Sequence, residues 1–383
     1  MFGDTPFRFE LGGVDVYCGM GELVRLGEVA TGLGLRRVLL VTDPGLLAAG
    51  HPQRARQLLE AAGIAVALFA DTAENPSTAE VENGAAAARA AAADGLVAIG
   101  GGSALDTARG INFLVSNGGR MEDYWGKELA KKPMLPSIGI PTTAGTGSEA
   151  QRFALISQVG SHLKMACGDR KARFRAGLLD PTLLATTPRP VAALAGIDAI
   201  SHAVESYVSS AASAFSRLLA REALERLEGS FAAHLRFPEA GGPAANMLFG
   251  AHLAGAAIEA SMLGAAHACA NPLTACYGTR HGAAVALMLP HVVRFNAAVA
   301  AAHYGALAAA IGLDGAGALA ERLVVLRGEA GLPATLAEIG VAAEDLPSLA
   351  SAAAQQWTLR YNPRPASEAE LLGLYQQAYR EAS

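Results

Sequence analysis

The run Asp94–Gly102, DGLVAIGGG, continuing directly into SALDTARGINFLV up to Val115, decides the reading of the fold. A short apolar run that ends in three glycines and passes into helix-like sequence reads as strand, tight turn and helix. Glycines at such a turn let the backbone approach a ligand, and the N–H groups of the new helix favour a pyrophosphate. Gly100, Gly101, Gly102, Ser103 and Asp106 are therefore candidate cofactor-binding residues. The spacing is not G-x-G-x-x-G, so the strict dinucleotide fingerprint is not met.

Outward from this point the same alternation repeats. RRVLLVTD (36–43) and IAVALFAD (64–71) are β-rich, and helix-like segments at 51–63 and 77–93 separate the strands. Strands alternating with helices predict a parallel sheet covered on both faces. A further strand, MLPSIGIPTT (134–143), leads into a second small-residue loop, Pro141–Glu149, which adds Thr142, Thr143, Thr146 and Ser148 to the candidates. Residues 153–169 read as a hairpin around Gly160. Asp43 ends the first strong strand. Its carboxylate could accept hydrogen bonds from an adenosine ribose and repel a 2′-phosphate, or simply cap the turn before Pro44.

Beyond about Pro181 the β signal vanishes. Ala/Leu/Glu-rich segments of helical period continue to the C-terminus, with breaks expected at Pro188, Gly241-Gly242-Pro243, Pro272, Pro290, Gly312 and Pro333. The expectation is an α/β domain over residues 1–183 and an all-helical domain over 184–383.

The chain is 383 residues long, enough for two or three domains, and its net charge is only −5. No Lys/Arg cluster is dense enough for nucleic acid, and the basic run Arg170–Arg175 reads as an exposed loop. Cys18, Cys167, Cys269 and Cys276 are scattered, which predicts reduced thiols in a cytoplasmic protein. The first ten residues lack a signal-peptide layout, and no long uncharged apolar run indicates a membrane span.

In the helical half, GIDAISHAVESY (196–207) puts Asp198 and His202 four residues apart, on one helical face. They could be a self-satisfied buried pair or two ligands of a metal. A second stretch, LGAAHACANPLTACYGTRHGAAVALMLPH (263–291), holds three of the nine histidines: His267, His281 and His291. Gly278 and Pro272 argue against one continuous helix there, and two short segments folding back could aim His267 and His281 at one point. One carboxylate and three imidazoles form a set suited to Fe²⁺ or Zn²⁺.

Several motifs then recur in a fixed order: GMGEL (19–23), VTD (41–43), ENPS (74–77), GGGSALDTAR (100–109), PTTAGTGSE (141–149), LLDPTLLATTPRP (178–190), GIDAISHAVESY, HACANPL (267–273), HGAAVALMLPHVVRFN (281–296) and NPRP (362–365). On these the chain resembles the iron-containing (group III) alcohol dehydrogenase family over nearly its whole length. The resemblance implies a Rossmann-like N-terminal domain followed by a helical metal-binding domain. It implies Asp198, His202, His267 and His281 as metal ligands, with Fe²⁺ ahead of Zn²⁺. It implies that Gly100 to Ser103, Asp106 and Thr142 to Ser148 hold NAD(P)H between the domains; NAD is expected ahead of NADP because Asp43 would meet a 2′-phosphate with like charge. Hydride exchange with a small primary alcohol or aldehyde is the implied reaction, in a homodimer. A dehydroquinate-synthase-like lyase or an inactive nucleotide- and metal-binding relative is the alternative.

Two positions depart from the family pattern. Arg109 stands where a lysine is usual. Asn271 replaces the second histidine of H-A-x-A-H, a candidate proton carrier near the reacting carbon, so the proton path must differ.

Overall fold

The computed structural model describes residues 5–160 and 164–380. Ten strands and thirteen α-helices are found among them. Contacts divide the chain into two compact units. The first comprises Met1–Thr143, Gly147–Thr187 and Pro238–His252; the second comprises Ala144–Thr146, Pro188–Phe237 and Leu253–Ser383.

The first unit opens with β1 (Phe7–Leu11) and β2 (Val14–Cys18), an antiparallel hairpin turned by Gly12-Gly13, both at positive φ. Next come α1 (Leu26–Gly32), β3 (Arg37–Val41), α2 (Pro44–Ala49), α3 (His51–Ala61), β4 (Ala65–Phe69), α4 (Thr78–Ala90), β5 (Gly95–Gly100) and α5 (Gly102–Asn117). The unit continues with β6 (Gly126–Lys127), β7 (Ser137–Pro141), β8 (Phe153–Ser157), β9 (Lys164–Gly168) and β10 (Ala176–Leu179). Seven strands form one sheet in the order β1-β2-β10-β7-β5-β3-β4, parallel except for the β1/β2 pair.

Side-chain alternation explains why this sheet is covered on both faces. Leu39, Val41, Leu96 and Ala98 point to one core with α4 and α5, through Val81, Ala85, Leu105 and Ile111. Val38, Leu40, Val97 and Ile99 point to the opposite core with α1 and α3, through Leu26, Val29, Ala55 and Leu59. In the central strands β3, β5 and β7 neither face is left for water, so these read as continuous apolar runs rather than as alternating ones.

β8 and β9 are the expected antiparallel pair, in a smaller sheet with β6; residues 161–163 of their connection lie outside the described residues. The run Arg170–Arg175 is not simply an exposed loop. Ala172 and Phe174 in it are buried, and Phe174 carries the Arg109 guanidinium on its ring face at 4.5 Å. Basic residues thus alternate with apolar anchors.

The remaining helices are α6 (Arg189–Val208), α7 (Ala214–Arg236), α8 (Gly241–Ser261), α9 (Ala265–Tyr277), α10 (His281–Ala310), α11 (Gly315–Glu329), α12 (Leu346–Ala354) and α13 (Glu368–Tyr379). No strand occurs after β10 among the described residues. The residues of α8 are shared between the units. Those up to His252 count with the first, where Phe249 meets Phe7 and Phe9 edge-on and His252 Nδ1 lies 3.0 Å from Glu149 Oε1. Residues 238–252 thus depart from the sequence-based division of the chain.

Two expected helix breaks do not occur. α9 runs through Pro272 and α10 through Pro290. An interior proline costs a helix about 3 kcal/mol, but both prolines are buried among apolar neighbours whose packing outweighs that loss. The irregularity of α10 lies instead at Ala300, where φ is −117° and ψ 17°. By length and composition α10 could cross a membrane, yet 67% of its most apolar window is buried inside the chain. It packs on α6, α9, α11 and α13, which accounts for its apolar character.

Candidate metal centre

Three helices of the second unit bring the acidic and imidazole groups together. α6 carries Asp198, His202 and Glu205 on one face, at spacings of four and three residues. α9 begins at Ala265 and carries His267 in its first turn, while α10 begins at His281 itself. Gly278, at φ 64°, ends α9 and allows the chain to fold back. Gly282 lets α10 start hard against α6: a Cβ there would sit 2.4 Å from the Leu194 carbonyl oxygen.

These constraints converge on one atom. Asp198 Oδ1 lies 3.4 Å from His202 Nε2, 3.6 Å from His267 Nε2 and 3.8 Å from His281 Nε2. The separations are long for hydrogen bonds. Four ligand atoms arranged tetrahedrally about 2.1 Å from a metal would be about 3.4 Å apart. Asp198 Oδ1 and His267 Nε2 are buried and have no hydrogen-bond partner. Ligand atoms of Asp198, His267 and His281 all lie within 4.8 Å of one another. Buried polar atoms without partners are costly. A divalent cation satisfies them together, so the donor set fits the metal.

The electrostatics agree. Burial disfavours the carboxylate of Asp198, but His202, His267 and His281 outweigh it and hold Asp198 well below the usual carboxylate range. Burial pushes His202 down to about 4, against the pull of Asp198. Burial also opposes charge on His267, yet Glu205 and Asp198 prevail and raise it to about 9. Asp198 thus presents an ionised carboxylate to the three imidazoles. His291, one of the three histidines in the same stretch, is elsewhere: burial, with Arg294 and Arg327, pushes it down to about 4.

Asn271 lies one turn beyond His267 on α9, partly buried, and its Nδ2 donates to Gln356 Oε1 at 3.0 Å. A cavity of about 400 Å³ in the same unit is lined by Arg189, Leu194, Tyr277, Arg280 and Ala283 among others. None of the four metal-facing side chains lines it.

The candidate cofactor residues belong mostly to the first unit. β5 ends at Gly100, and α5 starts at Gly102 with Gly101 as its N-cap and no side-chain cap; Ala104 N already donates to the Gly101 carbonyl, which leaves the N–H groups of Gly102 and Ser103 to face an anion. Thr143 Oγ1 lies 3.4 Å from where a Cβ on Gly101 would be. Asp43 caps α2, accepting from Leu46 N at 3.1 Å through Oδ1. Its Oδ2 faces the glycine turn, 3.4 Å from a Cβ placed on Gly100. The capping role expected of Asp43 is thus present, made through Oδ1.

Other candidates are engaged within the fold. Thr142 N donates to the Gly100 carbonyl at 3.0 Å, and its own carbonyl accepts from Thr187 Oγ1 at 2.9 Å. Ser103 Oγ accepts from Asn75 N at 3.4 Å. Asp106 accepts from Arg109 Nη1 at 3.0 Å, Ser148 Oγ at 2.7 Å and Leu155 N at 3.1 Å. Arg109 also donates to Ser148 Oγ at 2.7 Å, to the Phe153 carbonyl at 3.0 Å and to the Ser148 carbonyl. Asp106, Arg109 and Ser148 thus form a buried clamp between the two loops. Thr146, with Ala144 and Gly145, counts with the second unit.

Sequence reasoning missed Glu205. It is buried, and its carboxylate accepts from Ala266 N at 2.7 Å, from His267 N at 3.3 Å and from His267 Nδ1. The available signal was its helical spacing from Asp198 and His202.

Comparison with known proteins leads to the same place. The family described as "Iron-containing alcohol dehydrogenase" matches residues 14–181, and "Fe-containing alcohol dehydrogenase family, C-terminal" matches residues 192–379. Lactaldehyde reductase of Escherichia coli (strain K12) is 32% identical over 374 residues, 94% of this chain and 97% of its own. NAD-dependent methanol dehydrogenase of Bacillus methanolicus is 30% identical over 368 residues, again 94% of this chain and 97% of its own. The crystal structure of a 1,3-propanediol oxidoreductase superposes with a TM-score of 0.92 at 29% identity, covering 98% of this chain and 99% of that one. The chain belongs to the iron-containing alcohol dehydrogenase family.

Proposed function

We propose that the protein interconverts a small primary alcohol and its aldehyde, exchanging hydride with NAD(H), with Asp198, His202, His267 and His281 holding one divalent metal. The observation that carries this reading is the convergence of three imidazole Nε2 atoms on one buried, unpartnered carboxylate oxygen. Bound there, Fe²⁺ or Zn²⁺ supplies Lewis acidity toward the alcohol or aldehyde oxygen, and the nicotinamide supplies the hydride chemistry. The chain's own part is to fix the ligand atoms, to seat the pyrophosphate on the open N-terminus of α5 and to keep both loops together through Asp106, Arg109 and Ser148. Metal analysis of anaerobically reconstituted protein, with turnover of a panel of primary alcohols followed at the reduced-nicotinamide absorbance, tests the reading. Its failure would be nicotinamide turnover that survives complete removal of metal. A homodimer follows the family resemblance alone, and a cytoplasmic location rests on four free cysteines.

NAD is the proposed cofactor because Asp43 Oδ2 faces the glycine turn and would meet a 2′-phosphate with like charge. One such contact is worth about 1–3 kcal/mol, or roughly tenfold to a hundredfold in preference. Asp43→Asn keeps the α2 cap while removing the charge, so its kcat/KM ratio for NADH over NADPH should fall about tenfold. A wild-type ratio near one would exclude this role.

Asn271 is proposed to hold substrate or water by hydrogen bonds, since an amide carries no proton in the neutral range. Introducing His at this position should add a titration at about pH 6–7 to the pH–rate profile of alcohol oxidation. An unchanged profile in a folded, metallated Asn271→His variant would place the side chain away from the proton path.

A further inference from the structure

We propose that Glu205 is the positioning residue of the metal centre: its carboxylate holds His267 in the tautomer whose Nε2 lone pair faces Asp198 Oδ1. The inference rests on the metal-site reading above and adds to it the group that orients one ligand.

Three donors point at this one buried carboxylate. Oε1 accepts from Ala266 N at 2.7 Å; Oε2 accepts from His267 N at 3.3 Å and from the ring Nδ1 of the same residue. Ala266 and His267 lie in the first turn of α9, whose N-cap, Gly264, offers no side chain. Glu205 therefore caps α9 from another helix, and the same contact orients the imidazole. In the neutral imidazole that a metal requires, with Nδ1–H donated to Glu205, the remaining ring nitrogen is a lone-pair donor. It lies 3.6 Å from Asp198 Oδ1 and has no other partner.

The surroundings keep this carboxylate in place. A Cβ on Gly264 would lie 3.1 Å from Glu205 Oε1 and 2.9 Å from Asn362 Oδ1, so a larger residue there would push both side chains from their places. Asn362 Oδ1 accepts from Ala265 N at 3.2 Å, and Asn362 exchanges hydrogen bonds of 2.9 and 2.7 Å with Asn296. The NPRP and RFN motifs thereby gain a physical role: they fix the helix start that presents His267.

Glutamine at 205 has nearly the same shape but only one acceptor oxygen. Placed toward His267, the amide turns its NH₂ against the Ala266 N–H, two donors facing. Flipped, the NH₂ donates to His267 Nδ1, which moves the ring proton to Nε2 and removes the lone pair the metal needs. Either arrangement weakens the site.

The test is the Zn²⁺ affinity of full-length Glu205→Gln protein, measured by competition with a chromophoric chelator and compared with wild type and His281→Ala. Far-UV circular dichroism checks that each protein is folded. A loss of roughly tenfold to a hundredfold in affinity, typical of removing a partner that orients a ligand, is expected for Glu205→Gln at unchanged helix content. Glu205→Asp, which keeps both acceptor oxygens, should recover part of it. If Glu205→Gln binds within twofold of wild type while His281→Ala loses the metal, Glu205 is only a helix cap and the proposal fails. If His281→Ala also retains wild-type affinity, the metal-site reading itself is wrong, and the proposal falls with it.

Discussion

His281→Ala is expected to reduce bound metal to a small fraction of one per chain and to lower kcat by about 10³–10⁴-fold. Lewis-acid stabilisation by a metal is worth several kcal/mol, and each 1.36 kcal/mol is tenfold in rate. His281 is the first residue of α10 and the most exposed of the four groups, with a side-chain exposure of 27%. Its loss removes a donor without opening a core, so the apo protein should melt close to wild type. His291→Gln, on the same helix but away from the cluster, is the matched control and should keep its metal. Equal metal content in His281→Ala and His291→Gln would show that the imidazoles around Asp198 are not ligands.

Arg109→Ala should produce the largest change in stability, about 3–5 kcal/mol, because removing one partner of a buried ion pair leaves the other charge unpaired. Arg109 is 1% exposed and holds Asp106, Ser148 and the Phe153 carbonyl together while stacking on Phe174. Arg109→Lys keeps the charge but not the fork of donors, and should cost less, about 1–2 kcal/mol.

The pH dependence has a definite sign. Burial already raises Asp106, and Arg109 is the chief group opposing it; without Arg109 its pKa rises further. A carboxyl whose folded pKa exceeds its unfolded value contributes stability at low pH that is lost as pH rises through the folded pKa. The deficit of Arg109→Ala, measured by denaturant unfolding, should therefore be smaller at mildly acid pH than at neutral pH. A cost below about 1 kcal/mol, equal at both, would mean that Asp106 does not depend on this pairing.

The strands β3, β5 and β7 are legible in the sequence because both of their faces are buried, which leaves unbroken apolar runs; β4, at the sheet edge with Ala65 and Leu68 exposed, is legible from its β-rich composition alone. β1 and β2 are equally legible in principle: FRFEL and VDVYC flank Gly12-Gly13, the two-residue turn signal of a hairpin. β10 is not legible, since AGLL is four residues of weak β preference, made a strand by pairing with β2 and β7. Pro272 and Pro290 misdirect because local propensity loses to burial.

At the site, Asp198 and His202 stand out through helical spacing, and His267 and His281 through their concentration in one stretch. Glu205 does not, although it lies only three residues beyond His202. Its meaning depends on α9, whose first turn is about sixty residues later in the chain. Arg109 is visible as a departure from the family pattern, but its claim on Asp106 and Ser148 appears only once two distant loops are brought together.

The most direct test is the anomalous diffraction of crystals loaded with one equivalent of Zn²⁺ or, anaerobically, Fe²⁺, recorded at the metal's absorption edge. The account predicts one strong peak per chain, about 2.0–2.2 Å from Asp198 Oδ1 and from Nε2 of His202, His267 and His281. A peak elsewhere in the chain, or none at this cluster in protein that turns over alcohol and nicotinamide, would contradict it.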